Sequence, residues 1–256
     1  MNKNQSLMGI NLTKATFKEI LDSMNNNIQG DRINENIGIT NTETLYHSNN
    51  EIWIKNYVND CEFSCCDGIG LSIASLFWGG WIERRNGPEL MTRACDYGQK
   101  NDWKHYFYGG KEGVNSLLES RLVNKFPDLK IVGKYTPPFR ELNESEVDFL
   151  INDIKYKKPD IIWVGLGLPK QEKFIVNIRN KLKLMNVNVP YMIGVGASFD
   201  YHAGTVRWAP KWIRRIGMEW LFRIIIQPKL RLKRYYWSFQ IFFIAVYKGL
   251  INNFIK

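Results

Sequence analysis

Five short apolar runs in this chain each end in a turn of small or polar residues, and that punctuation restricts the fold more than any other feature. The runs close at Thr40-Asn41, at Asp67-Gly68, at Gly109-Gly110-Lys111, at residues 165–172 (GLGLPKQE) and at residues 194–200 (GVGASFD). Stretches with helical spacing lie between them, as in Phe17, Ile20, Leu21 and Met24. Strands that alternate with helices predict an α/β fold: a mostly parallel, Rossmann-like sheet with helices on both faces. Strands are expected at 37–40, 61–66, 105–108, 129–132, 160–164 and 189–195. Helices are expected at 13–24, 51–58, 71–78, 88–99, 114–126, 145–156 and 171–185. Ser145 is a candidate cap for the sixth of these. Residues 7–11 read as a short apolar run and residues 25–36 as a polar loop. No internal repeat or low-complexity block occurs.

Charge divides the chain. From Arg207 onward there are eleven Lys or Arg and one acidic residue, Glu219, while residues 1–206 carry 24 of each sign. The formal net charge of +10 therefore lies wholly in the last fifty residues. Such an asymmetry speaks of partners rather than fold. Trp208, Trp212, Trp220, Phe222 and a run of Ile interleave with the basic residues, which points to an anionic membrane surface or a phosphorylated ligand rather than to nucleic acid. The expected organisation is a catalytic α/β domain over 1–206 and a helical, membrane-associating appendage over 207–256. That appendage is expected to form one helix over 212–226, a break at Pro228 and a second helix beyond. No window reaches the roughly 18 apolar residues of a spanning helix, and the first residues lack the apolar core of a signal peptide. A cytoplasmic protein, peripheral on the inner face of the membrane, is the expectation.

The turns are where chemistry is expected, because ligands of open α/β sheets bind beyond the carboxyl ends of the strands. Glycine allows close backbone approach, and the free N–H groups of the next helix suit phosphate. Gly68, Gly109, Gly110, Lys111, Gly167 and Gly196 are candidates on that ground, with Thr40, Asn41, Phe199 and Asp200 in the same turns. Pro169 suits a helix start and places Lys170, Gln171 and Glu172 in a first turn. Asp67 is a lone carboxylate at a strand end and a candidate general base, against the alternative that it caps the following helix. None of the three G-x-G pieces has the third glycine of a dinucleotide site: Ile73, Lys170 and Phe199 occupy those positions. That disfavours NAD, FAD and a cofactor-dependent sugar-nucleotide epimerase. There is no Asp-x-Asp pair, and the cysteines and histidines show no zinc-ligand spacing. No metal site and no cofactor are expected, and the four cysteines read as reduced.

These residues together resemble the WecB/TagA/CpsF bacterial glycosyltransferases. The resemblance is carried by Asp67-Gly68-Ile69-Gly70, Glu83-Arg84 with Gly87, YFYGGKEGV at 106–114, GLGLPKQE, GVGASFDYHAG at 194–204, and WAPKWIRRIGMEWLFR with QPKLRL in the tail. It implies an inverting, metal-independent transfer of an N-acetylhexosamine, such as N-acetylmannosamine, from a UDP-sugar to a polyprenyl-diphosphate-linked acceptor. By resemblance Asp67 matches the proposed base, Arg84 an arginine near the reacting centre and Gln171 a pocket glutamine. Arg214, Arg223 and Arg231 lie in the segment thought to cover the pocket and meet the membrane. Two departures stand out: Ile39-Thr40-Asn41 replaces a frequent Thr-Pro-Asn, and Trp208 precedes Ala209-Pro210 where the family often has Arg. A second copy of the chain is a further candidate partner. The rival reading is a catalytically inactive membrane-surface protein that binds nucleotide-sugar.

Overall fold

The computed structural model describes residues 4–30 and 35–255. Residues 31–34, part of the expected loop, lie outside the described residues. The chain forms two compact units: Met1–Ala15, Gly38–Asn86 and Trp208–Lys256 make one, and Thr16–Ile37 with Gly87–Arg207 make the other.

The first unit opens with an antiparallel hairpin, β1 (Asn4–Leu7) and β2 (Ile10–Thr13), joined by Met8-Gly9. Leu7, Ile10 and Leu12 are fully buried. Residues 7–11 read only as an apolar run because four-residue strands offer too few alternations to declare a period. Two helices, α2 (Thr42–Asn50) and α3 (Ile52–Asp60), follow β3 (Glu35–Thr40). The first of them is absent from the sequence expectation, since TETLYHSNN has few apolar residues to show a period. Its start is fixed by Asn41, whose Oδ1 accepts from the Thr44 N–H at 3.0 Å. Then come β4 (Phe63–Cys66) and α4 (Ile69–Leu76).

The tail returns to this unit as α10 (Lys211–Arg215), α11 (Glu219–Ile226) and α12 (Pro228–Ile255). The single helix expected over 212–226 is therefore two. Gly217 adopts φ +78°, and a Cβ there would lie 2.8 Å from the Ile69 Cβ, so the chain turns left-handed at a point where only glycine fits. The break at Pro228 is present. On α12, Ser238, Ile241, Ala245 and Gly249 are buried at helical spacing. This face packs on α2 and α4: Trp78 Nε1 donates to the Ala245 carbonyl at 2.8 Å, Tyr46 stacks on Trp237, and Arg234 pairs with Glu43.

The second unit contains α1 (Phe17–Gln29), α5 (Gly87–Lys100), β5 (Lys104–Gly109), α6 (Val114–Lys125), β6 (Lys130–Tyr135), α7 (Glu144–Lys157), β7 (Ile161–Gly165), α8 (Lys170–Leu184), β8 (Tyr191–Gly194) and α9 (Ser198–Ala203). Helix α7 is capped by Asn143 in a capping box with Glu146, not by Ser145, whose hydroxyl donates to Asn143 Oδ1. The main sheet is six-stranded and parallel, flanked by helices, in the order β4-β3-β8-β7-β5-β6. Strands β5, β7 and β8 hold Tyr106, Phe107, Ile161, Ile162, Trp163, Val164, Met192 and Ile193, all fully buried, as strands covered on both faces require. From β5 the chain moves one way to β6, and from β7 the other way to β8. The order reverses between β5 and β7, where the carboxyl ends of Gly109 and Gly165 are adjacent.

Candidate active site

In the first unit Asp67 follows β4 directly. Its N–H donates to the Thr40 carbonyl at 2.7 Å, and the Arg85 N–H donates to the Cys66 carbonyl at 2.7 Å, so the strand end is held from both sides. Gly68 then turns at φ +90° into α4, with no side-chain cap on that helix. Asp67 thus does not serve as the cap of α4.

The Asp67 carboxyl is pushed up to about 6. Burial is the main cause, and the Glu219 carboxylate adds to it. Arg84, Arg223 and a hydrogen bond from the Gly68 N–H pull the other way. A carboxyl poised near 6 is deprotonated at neutral pH yet more basic than an ordinary aspartate, which suits removal of a proton from an attacking hydroxyl. Tyr235 on α12 belongs to the same surroundings. Its phenol is raised by burial and lowered by Arg223 and Arg231, with Glu219 and Asp67 raising it.

The two adjacent arginines divide their work. Arg85 is buried and spends its guanidinium on the Glu83 carbonyl and carboxylate, and its Nη2 reaches the Lys14 carbonyl. Arg84 is half-buried and donates Nη1 to the Arg214 carbonyl at 2.8 Å. Arg214 lies in α10, and its Nε donates to the Ala209 carbonyl at 3.0 Å. Arg231 Nη2 donates to Gln227 Oε1. Thr40, by contrast, shares a 2.8 Å hydrogen bond with Ser64 inside the core, and Asn41 serves as the cap of α2.

In the second unit the glycine turns gather at the reversal of strand order. Gly109 sits at φ +123°, and a Cβ would lie 2.6 Å from the Gly165 oxygen, so β5 and β7 can end side by side only with glycine there. The Gly110 N–H donates to that same oxygen. Gln171 ties the neighbouring turns together: its Oε1 accepts from the N–H of Gly167 at 3.2 Å and of Gly196 at 3.0 Å, and its Nε2 donates to Glu172 Oε1 at 2.8 Å. Gln171 and Glu172 are both buried, whereas Lys170 and Lys111 are exposed. Pro169 is the N-cap of α8 rather than its first residue. Phe199 is buried against Gly165 and Phe107, and Asp200 Oδ1 accepts from the Thr205 hydroxyl.

Sequence reasoning noted Glu219 only as a charge and Trp208 only as a tail aromatic and a departure from the family pattern, and it passed over Asn115. The signal for Glu219 was present: it is the lone acid among eleven bases. Asn115 Nδ2 joins the Gly109 and Tyr135 carbonyls to the Thr136 hydroxyl, a role set by tertiary contacts alone. The four cysteines are free thiols. Burial raises Cys65, Cys66 and Cys95 to about 12, and Cys66 Sγ lies 3.5 Å from the Ser72 hydroxyl. Among the described residues no group of three His, Cys, Asp or Glu could hold a metal ion.

A helix-flanked parallel sheet with glycine turns at its reversal defines an α/β protein, and a carboxyl raised among arginines stands at the end of one of its strands. Residues 5–254 match the glycosyl transferase WecG/TagA/CpsF family, and the chain belongs to it. It is a glycosyltransferase. It is 25% identical over 227 residues to the N-acetylglucosaminyldiphosphoundecaprenol N-acetyl-β-D-mannosaminyltransferase of Bacillus subtilis (strain 168), covering 88% of this chain and 85% of that one. A protein of the same name from Bacillus spizizenii (strain ATCC 23059 / NRRL B-14472 / W23) is 28% identical over 172 residues, 67% of this chain and 63% of that relative.

Proposed function

We propose that the enzyme moves an N-acetylhexosamine, of the N-acetylmannosamine type, from a UDP-sugar to a sugar carried on polyprenyl diphosphate, in cell-surface polysaccharide or teichoic acid synthesis. The observation that carries this reading is Asp67, raised to about 6 at a strand end among Arg84, Arg223 and Glu219. The names of the Bacillus relatives support the sugar and the lipid-linked acceptor. The reaction is a single displacement that inverts the anomeric centre. Asp67 takes the proton of the acceptor hydroxyl as its oxygen attacks the anomeric carbon, and the bond to the UDP oxygen breaks. Negative charge on the departing diphosphate is offset by arginine and by backbone N–H groups rather than by a metal ion.

The enzyme acts as a peripheral protein on the inner face of the membrane, where its acceptor is confined. No helix among the described residues is long and apolar enough to cross a bilayer. Trp212, Ile216, Ile225, Leu232, Tyr236 and Phe243 are exposed on the basic tail, a combination that suits an anionic lipid surface. The deciding experiment offers UDP-sugars with a short-chain lipid-diphosphate N-acetylglucosamine and measures UDP release. Release that requires the acceptor supports the proposal. Binding of UDP-sugar without acceptor-dependent release identifies an inactive binding protein instead.

A further inference from the structure

The Trp208 ring covers a guanidinium. Arg214 Cζ lies 3.7 Å from the centre of the Trp208 ring. Its Nε donates to the Ala209 carbonyl at 3.0 Å, so residues 208 and 209 both hold the guanidinium. Its terminal nitrogens make no hydrogen bond with any described residue, although the side chain is only half-buried. The Arg214 carbonyl in turn accepts from Arg84 Nη1 at 2.8 Å, and Arg84 is one of the two arginines whose charge acts on Asp67. The helix that carries Arg214 is five residues long and ends at Arg215, so it offers the side chain little support of its own.

We propose that Trp208 is a positioning residue: its ring holds the Arg214 guanidinium as a preformed two-pronged donor for a diphosphate. This rests on the proposed transferase reading for the source of the diphosphate, which is either the nucleotide of the donor or the lipid diphosphate of the acceptor. A planar guanidinium gives two parallel donors to phosphate oxygens, and an aromatic face fixes its orientation without consuming either.

The test compares Trp208→Leu, Trp208→Phe, Arg214→Lys and the parent enzyme. The first measurement is binding of inorganic pyrophosphate by calorimetry, which needs no knowledge of the sugar. A stacked, partly desolvated cation corresponds to roughly a 3- to 30-fold effect on affinity. Trp208→Leu and Arg214→Lys should both weaken binding by that factor, and Trp208→Phe should recover most of it. The second measurement is steady-state transfer. KM should rise by the same factor for one substrate while kcat changes less: for the UDP-sugar if the donor diphosphate sits on Arg214, for the lipid acceptor if the acceptor diphosphate does. Thermal melting of each variant accompanies both. Leu and Phe variants that melt alike but differ in pyrophosphate affinity support positioning by the ring. Equal affinity in the parent enzyme and Trp208→Leu overturns the proposal, as does a loss that Phe fails to restore. If no UDP-sugar is turned over by the parent enzyme, the transferase reading fails, and the pyrophosphate series still decides the role of Trp208.

Discussion

Asp67 shows how much a single residue's role depends on groups distant in sequence. It and Glu219 are 152 positions apart, yet the Glu219 carboxylate is the leading charge that raises the Asp67 carboxyl toward 6. Asp67→Asn should lower kcat/KM by about 10²–10⁴-fold, the usual worth of general-base help, with UDP affinity preserved. In the parent enzyme kcat/KM should climb with pH through about 6, as the base loses its proton. Glu219→Gln removes the repulsion, so that acid limb should move to lower pH; a limb that stays in place would exclude Glu219 from the surroundings of the base. The linkage has a definite sign. A carboxyl at about 6 in the folded chain and roughly 3.9 in the unfolded one holds its proton more tightly when folded. Its contribution to stability is complete below about pH 4 and is lost as pH rises through 6. Asp67→Asn should therefore raise the melting temperature at pH 7.5 relative to the parent and leave it nearly unchanged at pH 4. The same scale contains Gln171. Replacing it with Leu leaves the half-buried N–H groups of Gly167 and Gly196 without this acceptor, at about 0.5–1.5 kcal/mol, measurable by urea denaturation. Lys170, Gln171 and Glu172 were legible as the first turn of a helix from the PKQE stretch that begins at Pro169. That the glutamine bridges two glycine turns was not, because position 196 is brought to it only by the pairing of β7 with β8.

At the level of elements, the tail is part of a folded unit and not a bare appendage. Helix α12 presents Ser238, Ala245 and Gly249 to its neighbours, small residues that permit close approach. A Cβ on Gly249 would lie 2.7 Å from the Phe77 Cβ and carbonyl oxygen. Gly249→Val should thus force α12 away from α4, lowering stability by roughly 1–3 kcal/mol and reducing transfer, as followed by thermal melting beside the UDP-release assay. Truncation after residue 227 should expose Phe77 and Trp78, which α12 covers through Ala245 and Gly249, and leave a protein that aggregates; a well-folded, monodisperse product would show that α12 contributes little to this unit. The existence of most helices was readable from 3.6-residue periodicity. Their interruptions were less so. Gly217 splits the expected 212–226 helix because Ile69 occupies the space a side chain would need, and no local pattern records Ile69.

Taken whole, the molecule joins a neutral stretch of sequence to a basic one, and this should govern where it works. Flotation with vesicles containing anionic lipid should capture the parent enzyme, with about 1 kcal/mol of attraction per basic residue near the surface, and rising salt should release it. Capture that is indifferent to salt would assign binding to the exposed Trp, Phe and Ile side chains alone. Transfer should persist in excess EDTA; loss that magnesium or manganese restores would require a metal in the mechanism. The fold class was legible in the chain's local pattern, since alternating apolar runs and amphipathic stretches have few ways to bury their faces other than a helix-flanked parallel sheet. The sequence by itself also determined the family, through PKQE, the glycine turns and the tail block, and it marked Asp67. The tertiary structure decided the rest. It set Arg85 into the core and left Arg84 to Arg214, tied Thr40 to Ser64, and stacked Trp208 on Arg214. It also placed the tail's one acid where it acts on the Asp67 carboxyl. The reason is physical: periodicity and turn chemistry are local and survive in a linear string, whereas burial, ion pairing and a shifted pKa depend on which distant groups share a low-dielectric space.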